Sequence, residues 1–172
     1  MLTNLRDITA RDMLLDWGLA EAETRCAPHL AAGTLDRVVR RVPLTEEDRV
    51  SLILIIAQIR QPLLTFGIDP LTTWHAATMA WHNVGQIRLL RMMPAATISS
   101  LAASETPYAL RAYSPEAVRG RPIMVGPSLS GPWNLLEGTH RLCGATNSGH
   151  HVPVEVIVGV CPTVEQWAYW RG

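Results

Sequence analysis

Apolar residues recur at helical spacing through the first half of the chain, then give way after Pro94 to short apolar strings broken by Gly and Pro. Residues 7–22 carry Ile8, Met13, Leu14, Leu15, Trp17 and Leu19, a helical pattern that Pro28 and Gly33 punctuate. A short Arg-rich segment follows over 34–41. Thr45, with Glu46, Glu47 and Asp48 behind it, predicts a capped helix start, because acidic side chains suit the positive end of the helix dipole. That helix is expected to run through Arg60 and stop before Pro62, with Ile53, Ile56 and Ala57 on one face. Residues 66–70 read as a loop. A longer helix is expected over 71–92, ending at Pro94. On it Trp74 and Trp81, and likewise His75 and His82, would stand two turns apart. The indoles would then anchor a core or an interface, and the two imidazoles would be too far apart to share a metal.

Beyond Pro94, residues 97–101 predict a short strand and 107–119 a short helix interrupted near Pro115. Residues 122–125 and 133–136 predict a hairpin around the Gly- and Pro-rich turn at 126–132. A helix is expected from Thr139 to Ser148, closed by Gly149. Val154, Val156 and Val158 then mark one face of a final strand over 152–160, and 163–170 has helical spacing. The sum is an α+β chain: a helical region over residues 1–93, then a small mixed sheet with helices over 94–172.

Composition narrows the function. Of 172 residues, 48% are hydrophobic and 17% charged, enough apolar content for a buried core. Fifteen basic and fifteen acidic residues cancel, so a nucleic-acid partner is not expected. Every basic residue is Arg, which removes a lysine Schiff base and a Walker-type lysine; a cation meeting a ligand must be Arg or protonated His. Cys26, Cys143 and Cys161 are too few and too widely spaced for a disulfide framework or a zinc ribbon. The first ten residues carry charges without an apolar stretch, and the longest apolar run, 52–57, is too short to span a bilayer. No membrane partner and a cytoplasmic setting are expected.

The chemistry concentrates at Glu137-Gly138-Thr139-His140-Arg141. A glycine at the start of a helix lets the backbone turn sharply and approach a ligand closely. Thr139 is expected to cap that helix, whose first amides and positive dipole end then face an anion. Arg141 offers a planar fork for phosphate oxygens, and His140 a donor that can be charged near neutral pH. The plainer reading is an ordinary helix cap with a surface arginine. Glu137 is either a ligand or metal contact or the polar end of a strand. His150 and His151 read as a solvated loop, Arg40 and Arg41 as a solvated cluster, and Arg119 and Arg121 as surface groups beside the hairpin.

In order and spacing, Pro122-Ile123-Met124-Val125, the turn, Leu135-Leu136-Glu137-Gly138-Thr139-His140-Arg141, the helix, Gly149 and Val152-Pro153-Val154-Glu155-Val156 resemble the core of the ParB/sulfiredoxin superfamily. The resemblance runs from roughly Pro94 to Cys161, and residues 1–93 have no part in it. It implies a phosphate-binding turn at Gly138, Thr139, His140 and Arg141, and Mg²⁺ with ATP or CTP as cofactors. A nucleotide and a small-molecule acceptor would be the partners, with a homodimer allowed. Sulfiredoxins carry a catalytic Cys where Thr139 stands, so that activity is not expected. Partition proteins continue into a DNA-binding helix-turn-helix, whereas the extra residues here come first. The free-serine kinases of the superfamily fit best. By that pattern Glu105, the acidic residue after the first strand, would be the base, with Glu137 and His140 as further catalytic groups. The function implied is phosphoryl transfer or nucleotide hydrolysis. A non-catalytic nucleotide- or protein-binding regulatory module is the alternative, and a ParB-like nuclease a further one.

Overall fold

The chain opens with strand β1 (Leu2–Ile8), followed by helices α1 (Ala10–Glu21), α2 (Ala32–Arg40) and α3 (Glu46–Thr65). The computed structural model describes residues 1–65, 72–104, 120–147 and 152–172. Strand β2 (Thr73–Met79), the short helix α4 (Trp81–Val84), strand β3 (Arg88–Leu89) and helix α5 (Ile98–Ala102) come next. The hairpin β4 (Ile123–Gly126) and β5 (Asn134–Glu137) leads into helix α6 (Thr139–Asn147) and strand β6 (Val154–Val160). The fold is α+β.

The six strands form one mixed sheet in the order β1-β2-β6-β4-β5-β3. β4 runs parallel to β6 and antiparallel to β5, so β5 and α6 carry the chain from one side of β4 to the other. Side chains alternate across the sheet. On one face Trp74, Ile123, Val125 and Ile157 pack with Met13 and Trp17 of α1 and Ile56 of α3. On the other, Met79, Met124, Leu135 and Val158 pack with Leu101 of α5 and Leu142 of α6. Helices thus cover both faces of the sheet, which explains why Met124, Val125 and Val156 to Val158 are all buried.

Several expectations for residues 1–93 are corrected. The region is not all helical, since it supplies β1, β2 and β3 to the sheet. Residues 71–92 do not make one long helix. Trp74-His75-Ala76-Ala77-Thr78-Met79 pairs residue by residue with β6, and this buries Trp74 (5% exposed) while leaving Trp81 on α4 40% exposed. The paired stretch alternates between the two cores, a period-two pattern that its Ala and Met content disguises. Opposite Trp74 stands Gly159, where an added Cβ would lie 2.7 Å from the indole ring. His75 contacts Asp7 Oδ1 of β1 at 2.8 Å, on a different element from His82. Residues 97–101 form α5 rather than a strand: the Thr97 hydroxyl accepts from the Ser100 amide, and the Ser100 hydroxyl from the Thr97 amide, a reciprocal cap that fixes a helical turn.

The helix starts are governed by the same chemistry. Thr9, not Asp7, opens α1 through an exchange with Asp12. Thr45 opens α3 as expected: the Asp48 amide donates to its hydroxyl at 3.1 Å, and its own amide donates to Asp48 Oδ2 at 2.9 Å. α3 continues past Pro62 to Thr65; a proline this close to the helix end removes only one of its last hydrogen bonds. The segment 163–170 forms a single 3₁₀ turn, Val164–Gln166, rather than a helix. The expected loop at 66–70, the helix at 107–119 and Gly149 lie outside the described residues. Among the described residues no helix is long and apolar enough to cross a membrane.

Candidate functional site

The hairpin and the helix that follows it set the Gly138 turn. β4 and β5 pair with Met124 opposite Leu135 and Ile123 opposite Glu137. The strand therefore delivers Glu137 to the sheet's end beside Pro122. Pro122 is itself fixed, because its carbonyl accepts from Ile157 of β6 at 2.8 Å. Gly138 then turns with φ 105°, and a Cβ there would sit 2.8 Å from Pro122 Cβ. Both the backbone angle and the space require glycine. The Leu142 amide donates to the Gly138 carbonyl at 2.9 Å. Gly138 is thus the cap and Thr139 the first helical residue, which corrects the expectation that Thr139 caps. No acidic side chain stands in the first turn of α6 itself; the nearest carboxylate, Glu137, precedes Gly138 and is paired with Arg141.

Around this junction lies a cluster of charges. Arg141 donates from Nη2 to Glu137 Oε1 at 2.9 Å and from Nη1 to the Gly120 carbonyl. The two side chains are 13% and 19% exposed. Arg141 is therefore held by protein groups at the place where the resemblance gives it a phosphate. Burial raises the Glu137 carboxyl above its ordinary range; Arg141 opposes that shift, the Glu21 carboxylate adds to it, and Arg25 works against it. Glu21, 7% exposed at the end of α1, accepts from Arg60 of α3 and from Arg25 at 3.4 Å. Arg60 lies over the Trp17 ring at 5.4 Å from its centroid. Arg121 donates from Nε to Asp16 Oδ2 of α1 at 2.6 Å, which ties the entry to β4 onto the same helix. The glycine between these groups, Gly120, packs so closely on α1 that a Cβ would lie 2.4 Å from the Asp16 carbonyl oxygen.

The site residues expected from sequence fall as follows. Glu137, Gly138, Thr139 and Arg141 meet at the junction, and His140 is exposed on the first turn of α6. Glu105, His150 and His151 lie outside the described residues. Glu21, Arg25 and Arg60 belong to the cluster and had no signal in the sequence, because tertiary packing brings Glu21 and Arg25 to Glu137 and Arg60 to Glu21. Arg121, expected as a surface group, is an ion-pair partner. No three His, Cys, Asp or Glu side chains gather into a metal-binding group among the described residues. Cys26 and Cys143 are buried, and burial pushes each thiol up to about 11, so neither is poised as a nucleophile. No protein-family model, curated protein or solved structure matches this chain.

Proposed function

We propose that the chain is a nucleotide-binding protein of ParB/sulfiredoxin-like type that holds a phosphate at the Gly138–Arg141 junction and transfers or hydrolyses a phosphoryl group. The observation that carries this reading is the junction itself: a left-handed glycine at the cap of α6, backed by Pro122, with no acid in the helix's first turn. The first amides of an α-helix have no intrahelical acceptor and point along its axis, which is the geometry an anion uses. In this reading Thr139 and His140 meet the phosphate, and Arg141 steadies the turn through Glu137 and Gly120 while contributing positive potential. Mg²⁺ would arrive with the nucleotide and be held chiefly by phosphate oxygens, since Glu137 already accepts from Arg141.

One observation favours the non-catalytic alternative. Glu137 and Arg141 satisfy each other, and a carboxylate so engaged is a poor base. A single set of measurements separates the readings. Thermal shifts with ATP, CTP, GTP and inorganic phosphate, with and without Mg²⁺, should show stabilisation by at least one nucleotide. Thr139→Asp should abolish that shift while leaving the parent fold intact, because an acid in the first turn favours the helix but repels an anion. Phosphate release in the same samples distinguishes an enzyme from a binding module. A nucleotide shift that survives Thr139→Asp unchanged removes the junction from consideration.

A further inference from the structure

A groove of about 510 Å³ lies between α1, α2 and the start of α3 and reaches Gly120, whose carbonyl accepts from Arg141 at the Gly138 junction. Its walls are aliphatic: Leu15, Leu19, Val38, Val42 and Leu44. Arg37, Arg41, Arg49 and Gly120 make up the rest of the described lining. Arg37 is engaged, donating to Asp48 Oδ1 at 3.1 Å. Arg41 and Arg49 are exposed and have no carboxylate partner among the described residues. Among the described residues no acidic side chain lines the groove. The volume falls within the range of about 300–1,000 Å³ usual for small-molecule sites.

Arg41 also occupies a backbone position that ordinarily favours a smaller residue. It closes α2 with φ 57°, the left-handed position usually filled by Gly or Asn. An arginine bears a steric cost there that glycine would not. Arg41 nevertheless lines the groove, beside Val42, which is 45% exposed.

We propose that this groove binds a small amphipathic carboxylate, an unbranched aliphatic acid whose chain lies on the leucine and valine walls and whose head meets Arg41 and Arg49. The chemistry selects this class. Two guanidinium groups without acidic partners call for an anion, and a planar fork suits a carboxylate. Aliphatic walls take a hydrocarbon chain, and among the described residues the lining holds no aromatic ring on which a nucleobase could stack. This inference does not depend on the nucleotide reading, since the two sites have separate binding residues.

The test uses the full chain and calorimetric titration with decanoate below its micellar concentration. Butyrate supplies the same head on a short chain, and decyltrimethylammonium the same tail with the opposite charge. Saturable decanoate binding at one site, with both comparators failing, is the expected result. Arg41→Asn/Arg49→Gln should weaken decanoate about tenfold, because two charge-assisted contacts are lost. Asn is chosen at position 41 because it tolerates the left-handed conformation. Val42→Asp, an exposed position on the groove wall, should abolish binding by placing a carboxylate beside the ligand; it provides the decision if the double variant fails to fold. Absence of saturable decanoate binding, equal binding of decyltrimethylammonium, or unchanged affinity in the folded variants would each overturn the proposal.

Discussion

Replacing Arg141 with alanine tests whether the guanidinium at the Gly138 junction is a structural tie. In the parent it makes two hydrogen bonds, to Glu137 Oε1 and to the Gly120 carbonyl. Removing it leaves the Glu137 carboxylate, 19% exposed, without its main counter-charge. Breaking a buried ion pair from one side costs about 3–5 kcal/mol. Partial exposure, and the freedom of Glu137 to take up a proton, reduce this to about 2–4 kcal/mol, a fall in melting temperature of about 5–15 °C for a chain of this size. The dependence on pH follows from the direction of the Glu137 shift. Its carboxyl lies above its ordinary value of 4.5 in the folded protein because burial disfavours the charge, and Arg141 is the largest influence pulling it back. Without Arg141 the folded-state value rises further. The folded variant then holds its proton to higher pH than the unfolded chain does, so its stability is greatest below the unfolded value and falls as pH rises through the folded one. The deficit should therefore be large at about pH 7.5 and shrink towards about pH 5. Urea unfolding of the parent and Arg141→Ala at both pH values measures it, with Glu137→Gln as the control that removes the charge and with it the pH dependence of the deficit. A loss below about 0.5 kcal/mol at the higher pH, the range of an ordinary surface substitution, would refute the structural tie.

Two further outcomes are expected from the same framework. Asp48 accepts from Thr34 Oγ1 at 2.6 Å and from the Thr45 hydroxyl and amide, and these hydrogen bonds hold its carboxyl down to about 2. A depressed carboxyl contributes stability above the unfolded value of 3.8 that is lost as pH falls towards about 2; acid unfolding of Asp48→Asn should lack that component, and an unchanged acid profile would refute it. Gly159→Ala should destabilise by about 1–3 kcal/mol, because its Cβ would lie 2.7 Å from the Trp74 ring in a packed sheet face; a melting temperature equal to the parent's would mean that the indole moves aside freely.

The parts of the fold legible in the sequence are those set by neighbours along the chain. The hairpin turn lies between two apolar strings, and Ile123 and Leu135 do fall on adjacent strands. α6 begins at Thr139, as the glycine before it suggested. α3 opens where Thr45 and Asp48 can exchange hydrogen bonds. What escaped was decided at long range. β2 pairs Thr73 with Val160 and Met79 with Val154, and the identity of a partner so distant along the chain leaves no mark on local spacing. Paired tryptophans and histidines seven residues apart looked like two helical turns because 7 nearly matches two turns of 3.6 residues. β1 hid for a different reason: it lies at the sheet edge, and its residues 3–7 are exposed, so it has no alternation to read.

The site divides along the same line. Gly138 announced itself because one residue type answers both a left-handed backbone and a close approach. The environment of Arg141 did not, because it depends on which side chains the fold brings to Glu137. That company comes from the N-terminal half: Glu21 and Arg25 act on Glu137, Arg60 binds Glu21, and Arg121 joins Asp16. The residues that the family resemblance leaves unaccounted for are therefore electrically continuous with the junction it picks out. A change at Glu21 on α1 alters the potential at Glu137 without touching the turn, since charges in a half-buried setting interact far more strongly than in water. The N-terminal helices are accordingly part of the site's electrostatics, and the charge of the Gly138 junction is set jointly by both halves of the chain.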